Sequence, residues 1–160
     1  MKRYALLIVF CVLSASGGFA QTKSPVEGAW RIAEWVERGE TITNPQPGLI
    51  IFTRGYYSVA IVMKPRAALG PTKDPQNLTD AEKIDRFEQW RPFTAISGTY
   101  EVKGSMLVMR PIVAKNVWDM TRQTPQEPTF KLEGPTTLWL IPTGDKAEDV
   151  GLRMKLTRLE

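Results

Sequence analysis

The sequence predicts an all-β domain of eight antiparallel strands, and three observations support this fold class. Short segments rich in β-branched and aromatic residues recur at intervals of about 8 to 15 residues, and clusters of Gly, Pro, Asn and Asp separate them. Arg54-Gly55 and Lys103-Gly104 each lie between two such segments, as the turns of tight hairpins do. A chain of 160 residues without internal repeats makes about one domain.

Turn residues bound the individual strands. The first strand is long and ends at Gly39, and Glu133-Gly134-Pro135 separates the sixth strand from the seventh. The eight predicted strands span residues 28–38, 49–53, 56–63, 95–102, 106–114, 129–132, 137–141 and 150–159.

Residues 65–92 depart from this strand pattern. They begin as a loop rich in Pro and Gly, after which Thr79 and Glu82 fit a capping box, the reciprocal hydrogen bonding that starts many helices. An apolar stripe with helical spacing follows, made of Leu78, Ala81, Ile84, Phe87 and Trp90. The pattern predicts one amphipathic helix over about residues 79–90, inserted between the third and fourth strands with its stripe packed on the sheet.

The first twenty residues have the composition of a secretory signal peptide. Lys2 and Arg3 precede an unbroken apolar run over residues 4–13, and small residues at Gly18 and Ala20 fit a cleavage point after Ala20. An apolar run of ten residues is well short of the roughly 20 that a membrane span needs. We therefore expect residues 1–20 to be removed, leaving residues 21–160 as a single barrel domain in the periplasm or outside the cell.

Charge and cysteine content change once the signal peptide is removed. The full chain has 21 basic and 17 acidic residues, and the loss of Lys2 and Arg3 leaves 19 basic residues against the same 17 acids. No run of Lys and Arg interleaved with aromatic residues remains, so nucleic acid is not expected as a partner. The only cysteine, Cys11, leaves with the peptide, and stability then depends on a packed core.

The sequence contains no histidine, which excludes common kinds of catalysis. The Ser-His-Asp and Cys-His arrangements, the zinc-binding His-Glu-x-x-His helix and an imidazole base all need that residue. We expect no enzymatic activity, no metal and no cofactor.

Arg158 helps to predict how the sheet ends. Eight antiparallel strands must protect their edges, either by closing into a barrel or by splitting into two sheets. Arg158 shares a face of the last strand with Leu152, Met154 and Leu156, where an unpaired guanidinium is costly. On the first strand, Trp30 shares a face with Ile32 and Val36. If the last strand pairs with the first, Arg158 can stack on Trp30 as a cation–π pair and the sheet closes into a barrel.

The Gly28-Ala29-Trp30 signature and the partner Arg158 resemble the lipocalins and their calycin relatives. From residue 26 to 159 the chain is similar to the bacterial lipocalin-like domain family, with matching pieces GAWRI (28–32), GLIIFTRGYYSVAIV (48–62), SGTYEVKG (97–104) and FKLEGPTTLWL (130–140). The resemblance implies an eight-stranded up-and-down barrel that holds one small apolar molecule and has no assigned reaction. At residues 105–113 the sequence is SMLVMRPIV, where relatives often carry His, so nothing carries over from those histidines.

Five polar side chains are candidate ligand-binding residues: Glu34, Tyr56, Tyr57, Tyr100 and Arg110. Strict alternation points Glu34 into the barrel, whereas a bulge would turn it to solvent or leave it to pair with Arg158. Tyr56 and Tyr57 must lie on opposite faces, so one of them lines the interior, as Tyr100 does by its own alternation. Arg110 either extends to solvent or faces a cavity. By the same alternation Trp35 lies on the face opposite Trp30, and so faces outward or lies under the helix.

These features favour a monomeric, exported barrel that binds a small hydrophobic or amphipathic molecule. Two alternatives remain open. One is a protein-interaction or inhibitor module with a solid barrel, making its contacts through loops 40–48, 64–78 and 116–128. The other is a cofactor-free cyclase or isomerase in which Tyr, Glu and Arg side chains inside the barrel do the chemistry.

Overall fold

The structure is a computed structural model that describes residues 23–70, 74, 76–144 and 151–160. The expected signal peptide and Val150, where the last strand was expected to begin, lie outside these residues. In the described ranges the strands are β1 (Gly28–Glu37), β2 (Glu40–Ile42), β3 (Gly48–Thr53), β4 (Tyr56–Val62), β5 (Phe93–Lys103), β6 (Met106–Ala114), β7 (Thr129–Glu133), β8 (Thr137–Ile141) and β9 (Arg153–Arg158), and the helices are α1 (Asp80–Trp90) and α2 (Val117–Thr121).

The strands form one antiparallel sheet that closes on itself. From β3 to β9 each strand pairs with the next along the chain, and β1 pairs with both β3 and β9. Closure brings Trp30 opposite Arg158 and Ile32 opposite Leu156. The predicted eight-stranded antiparallel up-and-down barrel is confirmed, and the closure predicted from Trp30 and Arg158 is the one observed.

β2 and α2 were not predicted. β2 has three exposed residues and folds back on the end of β1 through Arg38 and Gly39, both of which have positive φ. A three-residue strand lacks the alternation that would mark it in the sequence. Because β2 adds a strand to the count, α1 lies between β4 and β5, which are the third and fourth of the predicted strands.

A β-bulge in β1 changes which side chains face inward. Ile32 pairs with Leu156 and Glu34 pairs with Lys155, so Ala33 is an extra residue between the two pairs. Beyond Ala33 the alternation is shifted by one residue. Trp35 lies opposite the core residue Met154 and packs against the core, so the prediction that it lies on the face opposite Trp30 is wrong.

Val36 was predicted to share the face of Trp30, and this is also wrong. It is buried, but it lies opposite the exposed Arg153 and outside the main core cluster. The same shift by one residue accounts for its position.

α1 has the predicted capping box but not the predicted packing. The Glu82 amide donates to Thr79 Oγ1 and the Thr79 amide donates to the Glu82 carboxylate, at 3.3 and 2.8 Å. Ile84, Phe87 and Trp90 are 62%, 59% and 53% exposed, so the expectation that the stripe packs on the sheet is wrong. Helical periodicity predicts an apolar face but carries no information about what covers it.

Hydrogen bonds to neighbouring loops hold α1 in place. The Arg86 guanidinium donates to the Gly70 carbonyl at 2.6 Å, and the Gln89 amide donates to the Ala67 carbonyl at 3.0 Å. At the end of the helix the Lys115 ammonium donates to the Trp90 carbonyl at 2.5 Å.

One end of the barrel is packed solid around Trp30. Its indole Nε1 donates to the Val26 carbonyl at 2.7 Å, and Phe52 meets Tyr100 edge to face at 5.0 Å between ring centroids. Gly28 has φ 143°, and a Cβ there would overlap the Arg158 guanidinium. The glycine of the Gly-x-Trp signature therefore leaves room for the arginine that covers the tryptophan.

Candidate ligand cavity

The other part of the barrel interior holds a cavity of about 480 Å³. Its walls come from six strands and are largely apolar; they include Ile50, Val59, Ile61, Ile96, Leu140 and Met154. The chain segments 124–128 and 142–144 complete the lining. The volume lies within the range of small-molecule sites, roughly 300 to 1,000 Å³.

The cavity wall beside β6 is irregular, because the regular strand β7 begins only at Thr129. The paired registers of these two strands contain one pair, Met106 with Thr129. Further along β6 the chain before β7 takes over: Met109 and Gln126 exchange backbone hydrogen bonds of 2.8 and 2.9 Å. The Leu107 amide also donates to the Pro128 carbonyl at 2.9 Å, so residues 126–128 continue the pairing with β6, and Arg122 and residues 124–128 line the cavity.

Tyr57 provides a polar group on the cavity wall. β4 alternation directs Tyr57 inward, where it is 3% exposed and lines the cavity. Its hydroxyl has no hydrogen-bond partner among the residues that the structure describes. The pKa of Tyr57 is raised from 10.0 to about 12, mainly by burial; the nearby Asp119 carboxylate also raises this pKa, and Arg122 lowers it. The hydroxyl therefore stays protonated at neutral pH and is free to bond a ligand.

Arg122, at the end of α2, provides a second polar group. Its terminal nitrogen lies 3.3 Å from the buried Asp119 carboxylate, and its guanidinium carbon lies 4.1 Å from the centroid of the Trp118 ring. Arg122 lines the cavity, and its buried Nε–H finds no acceptor within the described ranges. The guanidinium is thus held by an anion and an aromatic ring while one donor is left unpaired.

The sequence analysis missed Asp119 and Arg122, because residues 116–128 were assigned to a loop. A signal does exist in the sequence WDMTR at 118–122. An acid and a base three residues apart, with an aromatic residue beside the acid, fit one helical turn with an internal ion pair.

Of the five candidate residues, only Tyr57 lines the cavity. Tyr56 is 57% exposed on the outer face of β4, so the expectation that one of the two tyrosines lines the interior is met by Tyr57. Tyr100 also points inward, and burial raises its pKa, but it packs in the solid end against Phe52. Arg110 is exposed, opposite Thr99 on β5.

Glu34 does not point into the barrel. The bulge at Ala33 turns it to the outer face, where its carboxylate accepts a hydrogen bond from Lys155 Nζ at 2.8 Å. The Lys155 ammonium also lies 5.7 Å from the centroid of the Trp139 ring. Of the orientations left open for Glu34, the structure therefore has the outward one that a bulge gives, and the partner is Lys155 rather than Arg158.

A second, larger concavity of about 650 Å³ lies on the outer wall, where β1 and β3 diverge. Its lining includes Arg31, Leu49, Ala60 and Val62, which alternate with inward-facing residues of their strands. Unlike the interior cavity, its lining contains none of the buried side-chain polar atoms that lack a partner within the described part of the chain.

In the described ranges, no group of three or more acidic, Cys or His side chains is placed to hold a metal ion. Neither described helix is long and apolar enough to cross a membrane.

Comparison with known proteins gave matches to solved structures alone. No family model and no curated protein matches the chain. A lipocalin-like protein from Bacteroides uniformis matches with a TM-score of 0.49 and 11% identity, covering 85% of this chain and 100% of its own. An uncharacterized protein from Bacteroides eggerthii matches with a TM-score of 0.45 and 8% identity, covering 82% of this chain and 98% of its own. The lipocalin-like fold follows from the strand order and the pairing of β1 with β9.

Proposed function

We propose that this lipocalin-like barrel is exported, loses residues 1–20, and as a monomer binds one small hydrophobic or amphipathic molecule in its interior cavity. One observation carries the proposal: a cavity of about 480 Å³ with largely apolar walls also contains the buried hydroxyl of Tyr57, which has no hydrogen-bond partner among the described residues. Transfer of apolar ligand surface from water into such a cavity contributes roughly 25 cal/mol per Å².

The interior cavity is preferred over the outer concavity on energetic grounds. A buried hydroxyl or N–H without a partner costs free energy that a ligand can recover by bonding to it. Tyr57 and Arg122 present such groups to the interior cavity. A site that combines apolar walls with a few polar groups is the usual form of a small-molecule pocket.

The two alternatives fit the geometry less well. An interaction module with a solid barrel assumes an interior filled by side chains, and the interior cavity does not match that assumption. A cyclase or isomerase would use a Glu inside the barrel, but the candidate Glu34 lies on the outer face with Lys155, and the acid that lines the cavity, Glu127, belongs to the chain segment before β7.

Native mass spectrometry of the protein purified from its own envelope or culture medium tests the proposal. We expect a retained small molecule of constant mass. Val59→Trp places a large ring in the cavity and should abolish retention, whereas Tyr56→Trp on the outer face of the same strand should not. Equal retention by the two variants, or no bound molecule together with no binding of apolar probes, would overturn the proposal.

A further inference from the structure

The interior cavity has a polar end formed by three side chains. Tyr57 and Arg122 line the cavity. Asp119 forms an ion pair with Arg122 and acts electrostatically on Tyr57. Most of the remaining wall is apolar. Among the lining residues, Tyr57 and Arg122 are the ones that present buried polar atoms without a partner in the described ranges.

The unpaired groups at this end are hydrogen-bond donors. Arg122 Nε–H can only donate, and the Tyr57 hydroxyl can donate or accept. In the described part of the chain, neither has a partner. An arginine donor left without an acceptor in a buried site is costly, so a ligand that places an acceptor oxygen there would recover this free energy.

The charges around this end do not favour an anion. Asp119 neutralises Arg122 through their 3.3 Å ion pair, and Glu127, a further acid, also lines the cavity. Burial is the main cause of the raised pKa of Tyr57, and of the two nearby charges Asp119, which raises this pKa, acts more strongly than Arg122, which lowers it. A carboxylate placed here would meet a negative potential, and an ammonium group would have no acceptor to offer Arg122.

We propose that the ligand is a neutral amphipathic molecule whose polar end is a carbonyl or hydroxyl oxygen, which accepts hydrogen bonds from Tyr57 and Arg122. This inference rests on the proposed function, because it names the ligand class of the same cavity. The apolar body of the ligand lies along Val59, Ile61 and Ile96.

Three probes with the same chain and different ends test the ligand class: decanol, decanoate and decylammonium. Calorimetric titration at neutral pH should give the tightest binding for decanol, about tenfold tighter than for decanoate. Tyr57→Phe should weaken decanol binding about threefold to tenfold, the effect of one net hydrogen bond. Arg122→Lys keeps the charge but removes Nε–H, and we expect a similar loss.

Tyr56→Phe is the matched control, because it removes the same atom from the adjacent residue on the outer face. It should leave decanol binding unchanged. A second readout is the carbonyl stretch of bound methyl decanoate in the infrared. It should lie at lower frequency in the unmodified protein than in Tyr57→Phe, since hydrogen bonding weakens the carbonyl bond.

The outcomes separate this inference from the proposed function. If decanoate or decylammonium binds as tightly as decanol, or if Tyr57→Phe behaves like Tyr56→Phe, the neutral polar end is wrong while a binding barrel stands. If neither the three probes nor methyl decanoate binds the unmodified protein, the proposed function fails, and the inference fails with it.

Discussion

The guanidinium carbon of Arg158 lies 4.1 Å from the centroid of the Trp30 ring, at the residue pair where the last strand meets the first. Arg158 also donates hydrogen bonds to the backbone carbonyls of Glu27 and Pro135. One side chain thus joins the start of β1, the turn between β7 and β8, and the end of β9. Closure of the barrel depends on this contact as well as on the backbone pairing.

Removal of either partner should destabilise the barrel. Trp30 is fully buried, so Trp30→Ala should lower the free energy of unfolding by about 3 to 5 kcal/mol. Arg158→Ala should lower it by about 2 kcal/mol, through the lost cation–π contact and charged hydrogen bonds. Urea denaturation measures both. Arg153→Ala, at an exposed position of the same strand as Arg158, is the control. If Trp30→Ala and Arg158→Ala lowered the free energy of unfolding no more than Arg153→Ala does, the closure argument would be contradicted.

Tyr57 should make the protein sensitive to alkaline pH. Its pKa is raised from the ordinary 10.0 to about 12 in the folded state, so the unfolded chain releases this proton first. The unfolded state therefore binds fewer protons between pH 10 and about 12, and the free energy of unfolding falls across this window. The stabilisation is complete below about pH 10. In the Tyr57→Phe variant, the free energy of unfolding should fall less steeply with pH. Urea denaturation at several pH values within this window measures that slope.

Tyr56→Phe is again the control and should keep the slope of the unmodified protein. Tyr100, whose pKa burial also raises, contributes to the fall in every variant. Near neutral pH, Tyr57→Phe should be as stable as the unmodified protein or up to about 1 kcal/mol more stable, because no buried hydroxyl is left unpaired. A large loss of stability at neutral pH would mean that the Tyr57 hydroxyl has a partner in the folded protein.

Glu34→Gln should not affect ligand binding. Glu34 lies on the outer face, in a partly exposed ion pair with Lys155. Loss of that pair should lower the free energy of unfolding by about 0.5 to 1 kcal/mol. Calorimetric titration with decanol checks binding, and a double-mutant cycle with Lys155→Gln checks the pair. If Glu34→Gln abolished binding, the outward position of Glu34 would be wrong.

Gly98→Ala should be strongly destabilising, although Gly98 lies within a regular part of β5. β6 has an extra residue opposite this point, and its backbone approaches closely. A Cβ at Gly98 would overlap the Arg110 carbonyl and come within 2.9 Å of Pro111 Cα. We expect a loss of about 3 kcal/mol in thermal or urea denaturation.

Ser97→Ala is the comparison for Gly98→Ala. It loses one hydrogen bond of 3.0 Å to the Ser58 hydroxyl, and it should cost about 1 kcal/mol. If the two variants lost stability equally, a close approach of β6 at Gly98 would not be needed to explain the effect.

Local pattern predicted most strands, the helix and its cap, because alternation, turn residues and capping boxes depend on neighbours in sequence. Local pattern did not predict the direction in which the side chains of Glu34 and Trp35 point, because alternation identifies a face only while a strand is regular. One extra residue, Ala33, reverses every orientation after it. It also failed for the stripe of α1, whose exposure depends on what lies beside the helix rather than on the helix itself.

The sequence by itself determined the class of fold and how the barrel closes, because a guanidinium on an apolar face needs a partner and Trp30 offers one. The tertiary structure alone decided that the interior is hollow at one end and where its polar groups lie. The cavity is lined by side chains from six strands and by residues 122–128, which run along β6 before β7 begins. The polar end forms because Tyr57 on β4 and Arg122 at the end of α2 both line the cavity. Both depend on distances between segments far apart in the chain, and residue spacing within one segment does not encode such distances.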